Sequence, residues 1–181
     1  MLIQNWDEYF INIAEAVSKK SHCLSHQFGC VIVKNKQILS TGFNGPPAGY
    51  SHCDDESTRV NLHVKYTEDT GDMRDKGALF TTTICPRKML GFGSSDGLQY
   101  CSATHAELNA ILQAARNGTS TIDSSLYCSF ANTPCRECAK AIVNAGILKV
   151  YLKGPSCGVY DKKGIIGLDI LKKCNISVEY T

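Results

Sequence analysis

Two short segments constrain the fold of this chain more than any other feature: Thr104-His105-Ala106-Glu107 and Thr133-Pro134-Cys135-Arg136-Glu137-Cys138. Each reads as the opening of a helix. Thr104 and Thr133 stand as N-caps, and Pro134 takes a first helical position. Behind the first start, Leu108, Ile111, Leu112 and Ala115 mark an apolar face that runs to a stop at Asn117-Gly118. The second helix runs from Pro134 to Ala145, with Gly146 past its end. Cys135 and Cys138 are three apart, so they leave one helix face and a single metal ion can meet both. Helix N-termini also favour thiolate over thiol. With His105, the two starts offer three ligands for a tetrahedral Zn²⁺ and leave a fourth position for water.

The rest of the chain supplies a scaffold. Trp6, Phe10, Ile13, Ala14 and Val17 recur at helical spacing and predict an amphipathic helix over residues 5 to 20 that covers one face of a sheet. Val31-Ile32-Val33 and Ile38 to Phe43 flank the polar Lys34-Asn35-Lys36 and predict an antiparallel hairpin. Leu126 to Phe130, Leu148 to Leu152 and Ile176 to Tyr180 read as further strands, with a last helix over Ile165 to Cys174. The order predicts an α/β layer structure of five strands and flanking helices. Residues 44–103 are too long for a structureless connection. The expected organisation is one domain over 1–181 with an insertion at about 44–103.

Composition excludes some classes of function. Nineteen basic and 17 acidic residues are mixed along the chain for a net charge of +2, and no Lys/Arg run marks a nucleic-acid footprint. A small substrate is expected. The first residues lack the pattern of a signal peptide and no run approaches a membrane span, so the expected location is cytoplasmic, a cell's own or that of a viral host. Ten cysteines in such a compartment point to metal ligands or small core residues and not to disulfides.

His105 and Cys135 are 30 residues apart, and H-x-E followed by P-C-x-x-C is the signature of zinc nucleobase deaminases. In that chemistry an activated water attacks the ring carbon bearing the exocyclic amine, and Glu107 moves protons between water, ring nitrogen and leaving ammonia. Each residue also has a plainer reading. Glu107 three residues after Thr104 is also a capping box, and Cys135 with Cys138 could be half of a structural zinc knuckle or a redox motif.

These motifs, with Gly29-Cys30-Val31-Ile32-Val33 and Ser40-Thr41-Gly42-Phe43-Asn44-Gly45-Pro46-Pro47-Ala48-Gly49, give the chain a resemblance over nearly its whole length. It resembles the cytidine deaminase superfamily, and within it the deoxycytidylate (dCMP) deaminases of bacteria and T-even-type phages. The resemblance implies a three-layer α/β/α fold with a mixed five-stranded sheet. It implies a catalytic zinc on His105, Cys135 and Cys138, Glu107 as the acid/base, and conversion of dCMP to dUMP for thymidylate synthesis. Asn44 looks like a nucleotide ligand, although glycines and prolines at a strand end also make a plain surface turn. Ala106, Phe130 and Tyr160 fall near the implied substrate, Phe130 as a stacking ring and Tyr160 beside the phosphate. The resemblance further implies a homohexamer activated by dCTP and inhibited by dTTP, with Mg²⁺ accompanying the regulatory triphosphate and Gly45 and Arg116 at allosteric positions. Arg116 at a helix C-terminus can equally just complement the helix dipole.

Cys23, Cys53, Cys85 and Cys101 lie outside the regular elements and bracket the insertion, which suggests a second, structural Zn²⁺ with all four positions filled. The resemblance supports this at Cys23 and Cys53, and at Cys85-Pro86-Arg87-Lys88 and Tyr100-Cys101. His26, His52 and His63 are rival ligands. Cys30, Cys128 and Cys174 read as small core residues, and Cys157 has no assigned role. Three other functions share parts of the pattern: a tRNA base deaminase, a deaminase of dCTP or a free nucleoside, and a zinc-binding interaction module. A purely structural zinc has no use for Glu107, which weighs against the last.

Overall fold

A computed structural model of the chain describes residues 4–56, 67–71, 84–93, 96–154 and 162–181. The chain divides into two compact units, one built from residues 1–21, 28–44 and 105–181, the other from 22–27 and 45–104.

The first unit opens with α1 (Trp6–Ser18). The Asn5 side chain caps it by accepting a 2.8 Å bond from the Glu8 N–H, and Asp7 and Glu8 sit at its positive end. Next come β1 (Gly29–Lys34) and β2 (Gln37–Phe43), joined by Asn35 and Lys36. Both linking residues have positive φ, 52° and 62°, as a tight two-residue hairpin turn requires. After the second unit's segment come α3 (Ala106–Arg116), β3 (Ser124–Cys128), α4 (Arg136–Asn144), β4 (Ile147–Leu152), α5 (Lys162–Lys173) and β5 (Ser177–Tyr180). The label α2 belongs to a short helix of the second unit.

The sheet order is β2-β1-β3-β4-β5, five strands as the sequence predicts. β1 is antiparallel to both neighbours, whereas β3, β4 and β5 run parallel. Each parallel step needs a crossover, and α4 and α5 supply them. Side-chain alternation sorts the core into two layers. Val31, Val33, Tyr127 and Tyr151 meet Phe10, Ile11 and Ala14 of α1. Cys30, Ile32, Leu126, Cys128, Val150 and Leu152 face the other way, onto Ala106, Ala110, Ala139, Ile142 and Leu171 of α3, α4 and α5. The mixed sheet between two helix layers is the expected fold class. Burying an aromatic such as Phe10 contributes about 1.5–3 kcal/mol, and this two-sided burial is why β1 carries almost no polar residue.

In the second unit, Gly45 and Thr104 form an antiparallel bridge with N–H···O bonds of 3.1 and 2.9 Å. The helix α2 (Pro86–Met89) and a 3-10 turn (Leu98–Tyr100) surround a small core of Leu90 and Tyr100 with Met89 and Phe92. The Tyr100 hydroxyl donates to Asp69 at 3.0 Å.

Several sequence expectations need correction. The helices expected to start behind Thr104 and Thr133 are capped by His105 and Cys135 instead, because those residues still have extended backbone. The last helix begins three residues before Ile165. Cys174 lies past its end and is exposed, so it is not a core residue.

Candidate active site

Every residue expected to do the chemistry lies in the first unit. His105 and Cys135 are N-cap residues of α3 and α4, and neither gives its side chain to its own helix. Both side chains are therefore available to something else. His105 Nδ1 lies 3.5 Å from Cys135 Sγ and 3.4 Å from Cys138 Sγ. The three ligand atoms lie within 4.8 Å of one another, the one such group among the described residues.

These spacings fit a tetrahedral zinc. With Zn–N near 2.0–2.1 Å and Zn–S near 2.3 Å, a tetrahedron has N···S edges of about 3.5 Å. The donor electrostatics agree. A hydrogen bond from Cys138 above all, then one from His105, holds the Cys135 thiol down to about 4 despite burial. The same bond to Cys135, then burial, pushes Cys138 well up. Metal binding needs the thiolate, the form toward which Cys135 is already drawn.

Glu107 follows two residues after His105 and is 4% exposed. Burial raises its carboxyl above the usual carboxylate range, against an opposing pull from His105. The neighbouring Cys138 thiol also pulls its carboxyl down. A carboxyl held in an apolar pocket beside three metal donors has the environment of a proton carrier.

Two glycines seat the helices that carry these groups. A Cβ on Gly42 of β2 would collide with the Ala106 carbonyl oxygen and the Ala110 nitrogen of α3. A Cβ on Gly167 of α5 would collide with the Pro134 carbonyl oxygen, next to the cap of α4. Sequence reasoning missed both roles, since close approach shows only once helix and strand are packed.

Asn44 directly follows β2 and is 7% exposed. Its N–H donates to the Phe28 carbonyl (3.1 Å), its Oδ1 accepts from the Phe28 N–H (2.8 Å) and its carbonyl accepts from Ser21 Oγ (2.6 Å). Phe130 is buried and packs on Phe28 with ring centroids 4.4 Å apart. Ala106 is buried at the first position of α3. The thiols of Cys30 and Cys128 are buried 3.5 Å apart and raised by burial, as inert core thiols are. Arg116 is the exposed last residue of α3, and Gly45 belongs to the bridge in the second unit. Tyr160, Cys157 and His63 lie outside the described residues.

Cys23, Cys53, Cys85 and Cys101 all belong to the second unit. Cys85 is buried and the other three are half-buried. No three of them meet within 4.8 Å. Three are electrostatic neighbours nonetheless: burial raises the Cys101 thiol, and Cys23 and Cys85 add to the rise. Beside them His22 stacks on His52 at 4.4 Å and its Nδ1 meets Asp54 at 2.8 Å.

The profile of the cytidine and deoxycytidylate deaminase zinc-binding region matches residues 4–153. The deoxycytidylate deaminase of Enterobacteria phage T4 is 36% identical over 93% of this chain and 86% of its own. That of Mycobacterium phage D29 is 32% identical over 81% of this chain and 92% of its own. Among solved structures, the dCMP deaminase of cyanophage S-TIM5, in complex with dCMP and dUMP, matches in fold with a TM-score of 0.64. It shares 24% identity, and the match covers the whole of both chains.

Proposed function

The chain belongs to the cytidine and deoxycytidylate deaminase zinc-binding family, and from that premise we propose that it hydrolyses dCMP to dUMP and ammonia. The observation that carries this reading is the meeting of His105 Nδ1 with two cysteine sulfurs at 3.4 and 3.5 Å beside the buried Glu107. His105, Cys135 and Cys138 would hold the zinc, whose Lewis acidity brings the pKa of a water to near neutrality.

The chain's own residues then move the protons. Glu107 takes a proton from the water as its oxygen bonds to C4 of the pyrimidine, and passes that proton to the ring nitrogen N3. It then moves the proton of the new C4 hydroxyl to the exocyclic amine, and the C4–N bond breaks as the C4 carbonyl forms, releasing ammonia. Burial suits Glu107 to this cycle, because a carboxyl of raised pKa can both accept and return a proton near neutral pH. Asn44 binds the nucleotide, Ala106 and Phe130 line the place of the base, and Tyr160 stands beside the phosphate.

The finer parts of the reading rest on the family resemblance. The chain is one deaminase domain with an insertion at about 44–103, working in the cytoplasm of a cell or of a phage host and supplying dUMP for thymidylate synthesis. It assembles as a hexamer activated by dCTP and inhibited by dTTP, with Mg²⁺ on the triphosphate and Gly45 and Arg116 as the regulatory residues. A dCTP titration of the dCMP rate tests this, with activation expected and a flat response against it. Cys23, Cys53, Cys85 and Cys101 hold a structural zinc. Supporting this, all four occur in one unit, and Cys23 and Cys85 both raise the Cys101 thiol. Binding would draw their sulfurs together, since a tetrahedral S···S edge is about 3.8 Å.

The substrate is tested by chromatography of products after incubation with dCMP, dCTP, deoxycytidine and CMP. Formation of dUMP and ammonia from dCMP, well ahead of the other three, is expected. Turnover of dCTP or deoxycytidine ahead of dCMP would move the reading to that substrate. No turnover of any of them by zinc-loaded protein would move it to a base within RNA.

A further inference from the structure

β2 is an edge strand whose one neighbouring strand, among the described residues, is β1. Asn44 N–H bonds to the Phe28 carbonyl and Ser129 N–H to the Gly29 carbonyl. With Gly29 paired to Phe43 and Val31 to Thr41, the backbone groups of Thr41 and Phe43 point away from β1, toward the unpaired edge. Such groups need partners from elsewhere. Two side-chain amides of α3, one turn apart, supply them. The Thr41 N–H donates to Gln113 Oε1 at 2.7 Å, and Asn109 Nδ2 donates to the Phe43 carbonyl at 2.7 Å. Ser40 Oγ adds a 2.8 Å bond to the Ala110 carbonyl, and Gly42 lets the backbones close. Asn109 and Gln113 stand in for a sixth strand along this edge.

The Asn109 bond differs from the Gln113 bond in what it touches. Its acceptor, Phe43, immediately precedes Asn44, and Asn109 lies one helical turn past His105, whose carbonyl accepts the Asn109 N–H at 3.0 Å. The bond therefore joins the helix that presents His105 and Glu107 to the strand end that presents Asn44. We propose that Asn109 is a positioning residue for substrate, fixing Asn44 against the catalytic end of α3 through the Phe43 carbonyl. This rests on the reading of Asn44 as a nucleotide ligand.

Steady-state kinetics with dCMP on the zinc-loaded enzyme test it. Asn109→Ala is expected to raise KM about tenfold with kcat little changed and zinc content unchanged, since Ala favours helix and the bond to the Phe43 carbonyl is lost. Asn109→Asp keeps the shape but turns an acceptor toward the Phe43 carbonyl, so its KM should rise at least as far. Gln113→Ala should lower the melting temperature and leave KM near wild type. In the Asn44→Ala background, Asn109→Ala should add nothing further to KM, because its effect passes through Asn44. Full additivity, a wild-type KM in Asn109→Asp, or equal KM effects from Asn109→Ala and Gln113→Ala would overturn the assignment. If Asn44→Ala itself leaves KM unchanged, the reading of Asn44 falls and takes this inference with it. If Asn44→Ala raises KM and Asn109→Ala does not, only the inference falls.

Discussion

The two units hold their cysteines in contrasting ways. In the first, Cys135 and Cys138 meet His105 at 3.4–3.5 Å. In the second, Cys23, Cys53, Cys85 and Cys101 share a unit but no three of them close to 4.8 Å. The difference lies in what carries the donors. His105 and Cys135 cap helices of three and two turns; Gly42 lets the first lie close on β2 of the five-stranded sheet, and Gly167 lets α5 lie close on the start of the second. The second unit's cysteines sit in loop segments, on a short helix cap and after a 3-10 turn. Donors on packed helix starts are held by their scaffold, whereas donors on turns depend more on the ion they bind.

The largest expected effect breaks chemistry from metal binding at the first site. Glu107→Gln should retain the His105, Cys135 and Cys138 zinc while deamination falls about 10²–10⁴-fold, as loss of a general acid/base does. Full activity in that variant would remove Glu107 from the mechanism.

Next in size is metal content. Elemental analysis should give about two Zn²⁺ per chain, and Cys85→Ser should bring this to about one while increasing hydrogen exchange across residues 45–104. One equivalent in the unaltered protein would return all four cysteines to packing. Gly167→Ala should cost about 1–3 kcal/mol of stability, because a methyl group must displace the Pro134 carbonyl. It should also weaken zinc at the first site alone, read by chelator competition. An effect on both zinc sites would mean that the two are less independent than their scaffolds imply. The smallest expected change is in Asn5→Ala, about 0.5–2 kcal/mol for loss of the α1 cap. Thermal melts should register it with both zinc equivalents retained.

The sequence showed most where a local rule governs. The helical spacing of Phe10 and Ala14, the hairpin around Asn35-Lys36 and the H-x-E and P-C-x-x-C spacings each act over a few residues, and each recurs in the fold. Helix starts were displaced by one or two residues because His105 and Cys135 keep extended backbone while presenting their side chains to each other. Threonine looks like the better cap, but the meeting of two helices decided the matter. Cys174 looked apolar at helical spacing, yet α5 ends one residue before it. The Asn109 and Gln113 bonds were invisible for a different reason. They answer unpaired groups on an edge strand, and only the assembled sheet shows which groups those are.

The most direct test of the account pairs zinc content with the loss of ultraviolet absorbance on dCMP, for the unaltered protein and Glu107→Gln side by side. The account predicts equal zinc at the His105, Cys135 and Cys138 site in both, rapid absorbance loss only in the first, and dUMP as its product. Unchanged dCMP absorbance with fully zinc-loaded, folded protein would contradict it.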